Sequence, residues 1–600
     1  MVAVMRYSPP LRDIRFSLDL VGLDALANYP GLEHADTETV MSLLEEFGRL
    51  MTDCWASTNE LGDRQGLGVD LDAGTITTPI EFRTAYSRYV EAGWGSVPAD
   101  PDHGGGGFPH LVGIAMSELI QSANMALALC PMLTQGAIEA LASHGSEAQK
   151  ERYLRKLITG EWTGTMNLSE SEAGSDVGAQ RTKAAKAADG TWRITGQKIY
   201  ITWGEHDLSD NIVHLVLARV EGSPAGTKGI SCFIVPKYLV HDDGTLGERN
   251  DVQLVSTEHK MGIHGSPTCV LAFGDHSTGA VGELIGEVDA GMRYMFTMMN
   301  NARLAVGQQG QAIAERAYQQ AVTHALTRVQ GRPVGGEVGD PIAGHPDVRR
   351  MLLTMRSQIE AMRHLLFLNA KADDEAHHHP QPQERQAAAE LADLLTPLSK
   401  AWCTDLGNEL CSLAVQIHGG MGYVEDTGVA QMYRDIRVAA IYEGTNGIQA
   451  LDLIGRKLGL RQGGVMADLI TRMRADGHAL EGVPGLDDLG IGLGHSLDTL
   501  EQVTKWMLQA GRSEPIDAMA GATPYLRLVA TVVGGWLMGR QAMAATSTAK
   551  GLDDSYLAAK CATARFYMEQ ILPTINGLVA QVQGTAGPLY SVPHTMLASR

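Results

Sequence analysis

Several patterns that assign a protein to a common class are absent from this sequence. No apolar run is long enough to cross a bilayer, so we expect no stable membrane insertion. The seven cysteines lack CxxC or any other metal-ligand spacing, and an odd number suits a reducing compartment. Neither GxGxxG nor an alternating βαβ pattern occurs, which argues against a Rossmann domain. Because the first ten residues also lack the apolar core of a secretory signal, we expect a cytoplasmic protein without a metal site.

Basic residues are in the minority. The chain carries 48 Lys and Arg against 69 Asp and Glu, a formal net charge of −21. This charge argues against nonspecific binding to nucleic acid or to acidic membranes, although a local basic pocket could still bind an anionic substrate. Apolar residues make up 44% of the sequence, a value typical of globular proteins. At 600 residues the chain exceeds what one hydrophobic core usually serves, so several domains are expected.

The sequence predicts helix, then strand, then helix again, so the fold class is α+β and mainly α. We expect an N-terminal helical domain at 1–161 with an extension at 1–35, a β-barrel or sandwich at 162–287, a four-helix bundle at 288–460 and an additional helical domain at 461–600. Helical spacing of apolar residues predicts helices at Thr37–Ser57, Leu111–Ser143, Tyr294–Leu326, Val348–Ala372, Arg385–His418, Val429–Ile436 and within Met466–Leu597. Runs of β-branched residues predict strands at Thr191–Ile194, Ile199–Thr202, Ile212–Val220, Ile230–Val235 and Thr268–Phe273.

Three polar or glycine-rich stretches are interpreted as connections. Pro101–Pro109 contains four glycines, but no Gly-Lys-Ser/Thr follows, so a turn is favoured over a phosphate-binding loop. Asp373–Glu384 contains three consecutive histidines and a proline, and we interpret it as a solvated loop and not as a metal site. Gly482–Gly494 is expected to interrupt the last helical domain.

Two segments near the start of the strand-rich region could bind a planar, phosphate-bearing cofactor. Thr165–Asp176 combines hydroxyl groups, small residues and exposed backbone donors, which anions need, although a capped turn would look the same. Gly196–Thr202 places an aromatic ring and a hydroxyl on one strand, where they could stack on and hydrogen-bond to such a cofactor. An ordinary cross-strand pair is the alternative for the second segment.

A third segment places a carboxylate among apolar neighbours. Glu443 follows the apolar run Val438–Ile441 and precedes a Gly/Thr turn, after which a helix is predicted to begin near Asn446. Apolar surroundings disfavour the charged form of a carboxylate, which suits a residue that accepts a proton. Gly444 would let a substrate approach the backbone closely. A helix cap or a partner of the helix dipole is the alternative for a lone glutamate at this position.

Together these segments resemble the acyl-CoA dehydrogenase family. The resemblance spans roughly residues 80–457 and rests on the ordered segments Leu168–Asp176 with Lys198–Thr202, Gly229–Pro236, Met261–Ser266, Ala414–Tyr423 and Tyr433–Gln449. The length of the chain, the extra N-terminal segment Tyr7–Leu26 and the helical tail are similar to the larger bacterial members. Those members include dehydrogenases of long-chain acyl-CoA and of 3-methylmercaptopropionyl-CoA.

The resemblance implies FAD as the cofactor and assigns roles by position. Residues expected to contact FAD are Met166, Leu168, Ser169, Gly174, Ser175, Tyr200, Ile201, Thr202, Thr445 and Gly447, with Thr202 beside the flavin N5 atom. Positions expected to reach the FAD of a neighbouring subunit, which implies a homodimer, are Arg328, Gln416, Gly419 and Gly420. Substrate contacts are expected from Ser175, Asn300, Arg303, Tyr442 and Gly444. Asn300 stands where the family often has aspartate, and the usual phenylalanine does not follow Arg328.

The reaction that the resemblance implies is α,β-dehydrogenation of an acyl-CoA thioester to a trans-2-enoyl-CoA. Glu443 would remove the α-proton while a hydride leaves the β-carbon for flavin, and an electron-transfer flavoprotein would accept the electrons. Small residues within Ser117–Leu129, expected to be one helix at the family's acyl pocket, favour a medium or long fatty acyl chain for β-oxidation. The alternatives are a 3-methylmercaptopropionyl-CoA dehydrogenase, an acyl-CoA oxidase that uses oxygen, and a CoA-binding scaffold without activity.

Overall fold

The computed structural model describes residues 7–546 and 553–598, so the first six residues of the predicted extension and two short parts of the last predicted domain lie outside the described residues. Contacts divide the chain into two compact units. We call Ser42–Ala305 the barrel unit, and Pro10–Met41 with Val306–Arg600 the bundle unit. The predicted division into four domains stays a prediction.

Helices dominate both units. In chain order they are α1 Leu11–Val21, α2 Leu23–Leu26, α3 Thr37–Leu50, α4 Ala56–Gln65, α5 Ile80–Glu91, α6 His110–Ala123, α7 Met125–His144, α8 Glu147–Gln149, α9 Arg155–Thr159, α10 Gly291–Thr327, α11 Pro346–His378, α12 Pro382–His418, α13 Val429–Ile436, α14 Asn446–Asp452, α15 Gly464–Glu481, α16 Asp487–Ser513, α17 Pro515–Ala520, α18 Ala522–Thr546, α19 Asp554–Phe566, α20 Val579–Val582, α21 Gly587–Tyr590 and α22 His594–Leu597. The strands are β1 Gly68–Asp70, β2 Thr75–Thr77, β3 Trp162–Asn167, β4 Lys183–Lys186, β5 Trp192–Thr202, β6 Asn211–Val220, β7 Ser231–Pro236, β8 Tyr238–Val240, β9 Leu246–Arg249, β10 Val252–Thr257, β11 Thr268–Phe273 and β12 Ala280–Leu284.

The main sheet of the barrel unit closes on itself. Strands β5, β12, β7, β6 and β4 pair in a ring, since β4 pairs with both β5 and β6. Ala184 is the point of closure, because it faces Ile194 on one side and Val220 on the other. Trp192 and Phe233 fill the interior with ring centroids 5.4 Å apart. The predicted strands and the predicted barrel are therefore confirmed, with the first two predicted strands joined in β5.

Two further strands, β3 and β11, extend the ring next to the segments singled out by the sequence. Strand β3 runs parallel to β6 and ends at Asn167, where the segment that begins at Thr165 leaves the sheet. Strand β11 pairs with the second half of β5, with Thr268 opposite Thr202. The segment Thr165–Asp176 therefore begins at the end of β3, and the segment Gly196–Thr202 forms the end of β5, in the same sheet.

Small residues bring two helices of the bundle unit close together. A Cβ atom added to Gly310 of α10 would lie 2.2 Å from the carbonyl oxygen of Cys403 on α12, and one added to Gly307 would lie 2.5 Å from that of Ser399. Gly407 of α12 faces Gly310 in the same way. Only glycine permits this approach, so α12 is held against α10 next to the segment that carries Glu443.

The helices after residue 461 pack onto the bundle. α18 contacts α11, α12 and α14 and is surrounded by α15, α16 and α19. Polar contacts cross this packing: His364 Nε2 of α11 lies 2.8 Å from Gln541 Oε1 of α18. The predicted helical character of this part is confirmed for its described residues.

Three expectations about helix ends are wrong. α11 continues to His378, so the predicted loop at Asp373–Glu384 is a helix end followed by three residues before α12. The helix persists because polar residues can cover its exposed face, and Pro380 then ends it. α16 begins at Asp487, so the break expected at Gly482–Gly494 is shorter. Leu111–Ser143 forms two helices, α6 and α7, separated by Asn124, whose side chain caps α7.

Among the described residues one helix, α7, is long and apolar enough by composition to cross a membrane, so the expectation that no apolar run reaches that length is wrong. Within its most apolar window 78% of the residues are buried inside the protein, as in the core helix of a soluble fold. The seven cysteines are free thiols. The described residues contain no cluster of three or more His, Cys, Asp or Glu side chains that could hold a metal ion.

Candidate active site

Glu443 lies in a tight left-handed turn of the bundle unit. The backbone φ angles are +55° at Glu443 and +82° at Gly444, and α14 begins two residues later. The side chain of Thr445 caps that helix by accepting a hydrogen bond from the Ile448 N–H at 3.3 Å. A positive φ is unfavourable for a residue with a Cβ atom, and such strain often marks a functional position. The helix cap is therefore Thr445 and not the Glu443 carboxylate.

The turn is tied to the bundle on the side of Tyr442. The Tyr442 hydroxyl donates a hydrogen bond to the Oε1 atom of Gln309, which is fully buried on α10. Burial and then the neighbouring Glu443 carboxylate raise the pKa of Tyr442, so the phenol stays protonated as a donor. The Gln449 side chain donates to the Glu443 carbonyl at 3.3 Å. Side-chain contacts thus hold the backbone on both sides of Glu443.

In the barrel unit, the two segments predicted to hold the cofactor lie side by side. The Ile199 N–H donates to the Ser169 carbonyl at 2.9 Å, and the Lys198 ammonium donates to the Leu168 carbonyl at 2.9 Å. Glu170 and Ala173 close a small hairpin through two backbone hydrogen bonds of 3.0 Å. The hydroxyl-rich loop is therefore built on strand β5 and presents Gly174 and Ser175 beyond the hairpin.

A buried ion pair supports this loop. Lys198 Nζ lies 2.8 Å from Glu170 Oε1, and the carboxylate also accepts hydrogen bonds from Thr182 Oγ1 at 2.6 Å and the Arg181 N–H at 2.6 Å. Burial lowers the pKa of Lys198 to about 8, while Glu170 opposes that shift. Burial acts to raise the pKa of Glu170, but Lys198 outweighs it and the net shift is downward. Sequence reasoning assigned no role to Lys198, although a lysine inside a predicted strand was a usable signal.

Tyr200, near the end of β5, has an exposed aromatic ring. Tyr200 has φ +59° and is 62% exposed, whereas Ile201 is buried. Trp203, at φ +54°, is buried and donates its indole N–H to the Ala126 carbonyl at 3.1 Å. The backbone is therefore forced out of regular strand geometry where Thr202 was expected beside the flavin.

Two buried histidines contact strand β3, and neither was identified from the sequence. His214 Nδ1 lies 2.7 Å from Thr165 Oγ1, and His206 Nε2 lies 3.0 Å from Thr163 Oγ1. Burial, followed by the positive charge of Lys237, lowers the pKa of each imidazole to about 3. Both rings are neutral at physiological pH and serve to support β3.

Two predicted substrate residues share one face of α10 in the barrel unit. Arg303 is 5% exposed, and its guanidinium lies 3.4 Å from the Oδ1 atom of the exposed Asn300, one helical turn earlier. The Arg303 guanidinium also lies 5.7 Å from the centre of the Phe296 ring. The Arg303 guanidinium is thus held by its neighbours inside the protein, and only Asn300 of the pair is exposed.

The four positions expected to reach a neighbouring subunit's FAD lie at the ends of two helices. His324 on α10 and His418 on α12 stack with ring centroids 4.4 Å apart, which joins the last turn before Arg328 to the end of α12 before Gly419. Gly419 has φ +61°, and a Cβ atom on Gly419 or Gly420 would have no neighbour within 4 Å. Arg328, Gln416, Gly419 and Gly420 are all exposed. The structure brings this group together at one surface.

Models of known protein families match successive parts of the chain. Family models match as follows: acyl-CoA dehydrogenase N-terminal domain at 72–161, its middle domain at 165–276, its C-terminal domain at 289–459, and an acetyl-CoA dehydrogenase C-terminal-like domain at 466–593.

Similar proteins extend over almost the whole chain. The chain is 44% identical to the 3-methylmercaptopropionyl-CoA dehydrogenase of Ruegeria pomeroyi, covering 98% of this chain and 99% of that protein. It is 35% identical to a butyryl-CoA dehydrogenase of Syntrophomonas wolfei, and the match covers 95% of this chain and 96% of that protein. The crystal structure of a Bacillus anthracis acyl-CoA dehydrogenase complexed with FAD matches with a TM-score of 0.73 at 21% identity. The match covers 95% of this chain and 91% of that chain, and it shows a similar fold.

Proposed function

The chain belongs to the acyl-CoA dehydrogenase family, and from that premise we propose that it oxidises a short acyl-CoA thioester, with 3-methylmercaptopropionyl-CoA as the first candidate. It is an oxidoreductase that acts on the CH–CH bond of acyl-CoA. The strained turn at Glu443 is the observation that carries the assignment of the base, because the carboxylate is not used as the helix cap.

The residues of the barrel unit suit FAD. The loop at 168–176 offers serine hydroxyls and backbone N–H groups, and a Cβ atom on Gly174 would have no neighbour within 4 Å, so the loop leaves space for a ligand. The Oδ1 atom of Asn167, buried at the start of this loop, has no hydrogen-bond partner among the described residues. Bound FAD would supply the hydride acceptor. Tyr200 and Thr202 would orient it, together with Met166, Leu168, Ser169, Ser175 and Ile201, and Thr445 and Gly447 would add contacts from the bundle unit.

Glu443 would take the α-proton of the thioester. A carboxylate is a weak base for such a carbon acid, so the reaction needs donors aimed at the developing enolate oxygen. The Glu443 backbone N–H is one such donor, and the flanking Gly444 and Tyr442 would border the thioester. Asn300, Arg303 and Ser175 would contact the remainder of the substrate.

The choice of a short acyl chain rests on packing around the small residues near Asn124. Ser122, Ala123, Ala126 and Ala128 are all buried, and the bulky Trp203 is hydrogen-bonded to the Ala126 carbonyl. The Trp203 indole therefore lies at the backbone of α7 beside Ala126, and a bulky ring at this place would suit a compact substrate. The similar proteins that act on 3-methylmercaptopropionyl-CoA and butyryl-CoA agree with this choice.

A medium or long fatty acyl substrate is the second candidate. The same small side chains would favour it if they bordered the acyl group, because they would leave room for a longer acyl chain. The deciding experiment is anaerobic titration of the purified flavoprotein with butyryl-, 3-methylmercaptopropionyl-, octanoyl- and palmitoyl-CoA, monitored by flavin bleaching. Faster flavin bleaching at equal subsaturating concentrations is expected for the two short substrates. A preference for octanoyl- or palmitoyl-CoA would overturn the short-chain proposal.

An electron-transfer flavoprotein is the proposed electron acceptor, and a cytoplasmic homodimer is the proposed assembly. The exposed group at Arg328, Gln416, Gly419 and Gly420 supports a subunit contact, because open glycines leave room for a neighbouring molecule. Turnover with a flavoprotein acceptor should exceed turnover with oxygen. The reverse result would identify an acyl-CoA oxidase.

A further inference from the structure

Asn446, the first residue of α14, is bound to α12 through its whole side-chain amide. Its Nδ2 atom donates to Asp405 Oδ1 at 2.7 Å, with the Thr404 hydroxyl and the Ala401 carbonyl at 3.0 and 3.1 Å. Its Oδ1 atom accepts from Lys400 Nζ at 2.9 Å. Both ends of the amide are therefore engaged by residues from two adjacent turns of one helix, and Asn446 can adopt only one orientation.

Lys400 makes this contact from inside the protein. Its side chain is fully buried, and a buried ammonium requires hydrogen-bond acceptors or an opposite charge. Asp405, beside Asn446, is mostly buried, and burial raises the pKa of its carboxyl while the Asn446 amide and Lys400 oppose that effect. An apolar side chain would fill the same space without the free-energy cost of burying a charge. We therefore ascribe to Lys400 a role in its hydrogen bond to Asn446.

The helix that holds Asn446 is itself fixed. Gly407 of α12 and Gly310 of α10 meet with no room for a side chain, and Gln309, next to Gly310, accepts the Tyr442 hydrogen bond. The turn between Tyr442 and Asn446 is consequently anchored at both ends to the same rigid helix pair. Its middle residues, Glu443 and Gly444, have the positive φ angles, a conformation that persists only where the surroundings enforce it.

We infer that Lys400 and Asn446 are positioning residues, which set the location of the Glu443 carboxylate and backbone N–H through the turn that they anchor. This inference rests on the proposed function for its catalytic consequence. A misplacement of about 1 Å in a reacting group can cost about a hundredfold in rate, so small loosening of the turn is enough to slow proton removal.

The test compares Lys400→Met and Asn446→Ala with the matched control Asn408→Ala in the full-length flavoprotein. Asn408 lies on α12 and donates to the Thr404 carbonyl at 2.8 Å, without contacting Asn446. The limiting rate of flavin bleaching at saturating acyl-CoA should fall by about tenfold to a hundredfold in both anchor variants, with less than about a twofold change in half-saturating substrate and in FAD content. The control should match the wild type. If Lys400→Met does not fold, Asn446→Ala carries the test alone.

Backbone hydrogen exchange gives a readout that needs no turnover. Amides in the turn at 442–446 should exchange faster in Lys400→Met and Asn446→Ala than in Asn408→Ala, with unchanged protection in β5. Unchanged exchange in the turn, or bleaching within about twofold of wild type, would overturn the positioning role. Absence of bleaching by every acyl-CoA in the wild type would instead overturn the proposed function, while hydrogen exchange would still decide the inference.

Discussion

Lys560 Nζ lies 2.7 Å from Asp13 Oδ1, so helix α19 near the end of the chain forms an ion pair with α1 near its beginning, in which the lysine is fully buried and the aspartate is half-buried. The same ammonium lies 3.0 Å from Glu360 Oε1 on α11. Burial acts to raise the pKa of Asp13, but Lys560 and then Arg363 outweigh it and hold the pKa well below its usual value. One lysine thus joins the first helix of the chain, α1, and one of its last helices, α19, to α11.

Replacing Lys560 by methionine should destabilise the protein. Two carboxylates would be left in a buried site without their common cation, and breaking a buried pair in this way costs about 3 kcal/mol or more. Chemical denaturation of the variant should show the lower stability, and the double variant Asp13→Asn, Lys560→Met should recover part of the loss. Lys505→Met, which removes an exposed partner of Glu501, is the control and should change stability by less than about 1 kcal/mol. Equal losses in the two lysine variants would contradict a specific role for the buried pair.

The proposed base has a direct test. Glu443→Gln keeps the size of the side chain but removes its ability to accept a proton, so flavin bleaching by acyl-CoA should slow by about a hundredfold or more. FAD content should stay at the wild-type level, measured from the flavin absorbance of the purified protein. Glu81→Gln, at an exposed position, is the control and should bleach normally. Bleaching at a near-normal rate in Glu443→Gln would exclude Glu443 as the base.

Lys198 should affect retention of the cofactor. In Lys198→Met the Glu170 carboxylate loses its cation, and the Leu168 carbonyl loses a donor, so the loop expected to hold FAD becomes less ordered. We expect a lower ratio of FAD to protein after dialysis and a lower melting temperature. Lys183→Met, on the adjacent strand β4 and exposed, tests for a general effect of charge removal. FAD retention equal in both variants would argue that the ion pair does not organise the loop.

The stacked pair of His324 and His418 predicts a loss of stability in mild acid. Burial lowers the pKa of both imidazoles, with Arg328 adding to the shift at His324 and His324 adding to it at His418. An unfolded histidine titrates near pH 6.5, so below about that pH the unfolded chain binds protons that the folded state does not, and stability falls. The double variant His324→Gln, His418→Gln should reduce the decline in melting temperature between about pH 7.5 and 5.5, leaving the part that the buried His206 and His214 contribute.

The exposed His377→Gln variant serves as the control for that pH series. It should keep the wild-type slope of melting temperature against pH. A wild-type slope in the double variant as well would show that the stacked pair does not cause the acid sensitivity.

Regular elements were the part of the fold that the sequence predicted well. α13 has the predicted bounds, and the predicted strands lie within β5, β6, β7 and β11 or extend one residue beyond them, because their periodicity and composition are local properties. Helix ends were less predictable: the polar His377 and the glycines after Asp487 continue in helices, since tertiary packing overrides weak local preferences.

The sequence by itself determined the order of helical and strand-rich regions, the motif segments and the candidacy of Glu443, because these depend on local patterns and on their order along the chain. Only the tertiary structure decided that Thr445 caps α14, that Lys198 underlies the loop at 168–176, and that Lys400 and Asn446 anchor the Glu443 turn. The contacts of Lys198 and Lys400 join residues tens of positions apart on different elements, whereas the Thr445 cap is a local bond to Ile448 that the sequence left as one of two alternatives. Their geometry depends on how closely helices and strands approach, and glycine contacts such as Gly310 with Gly407 set that distance in three dimensions.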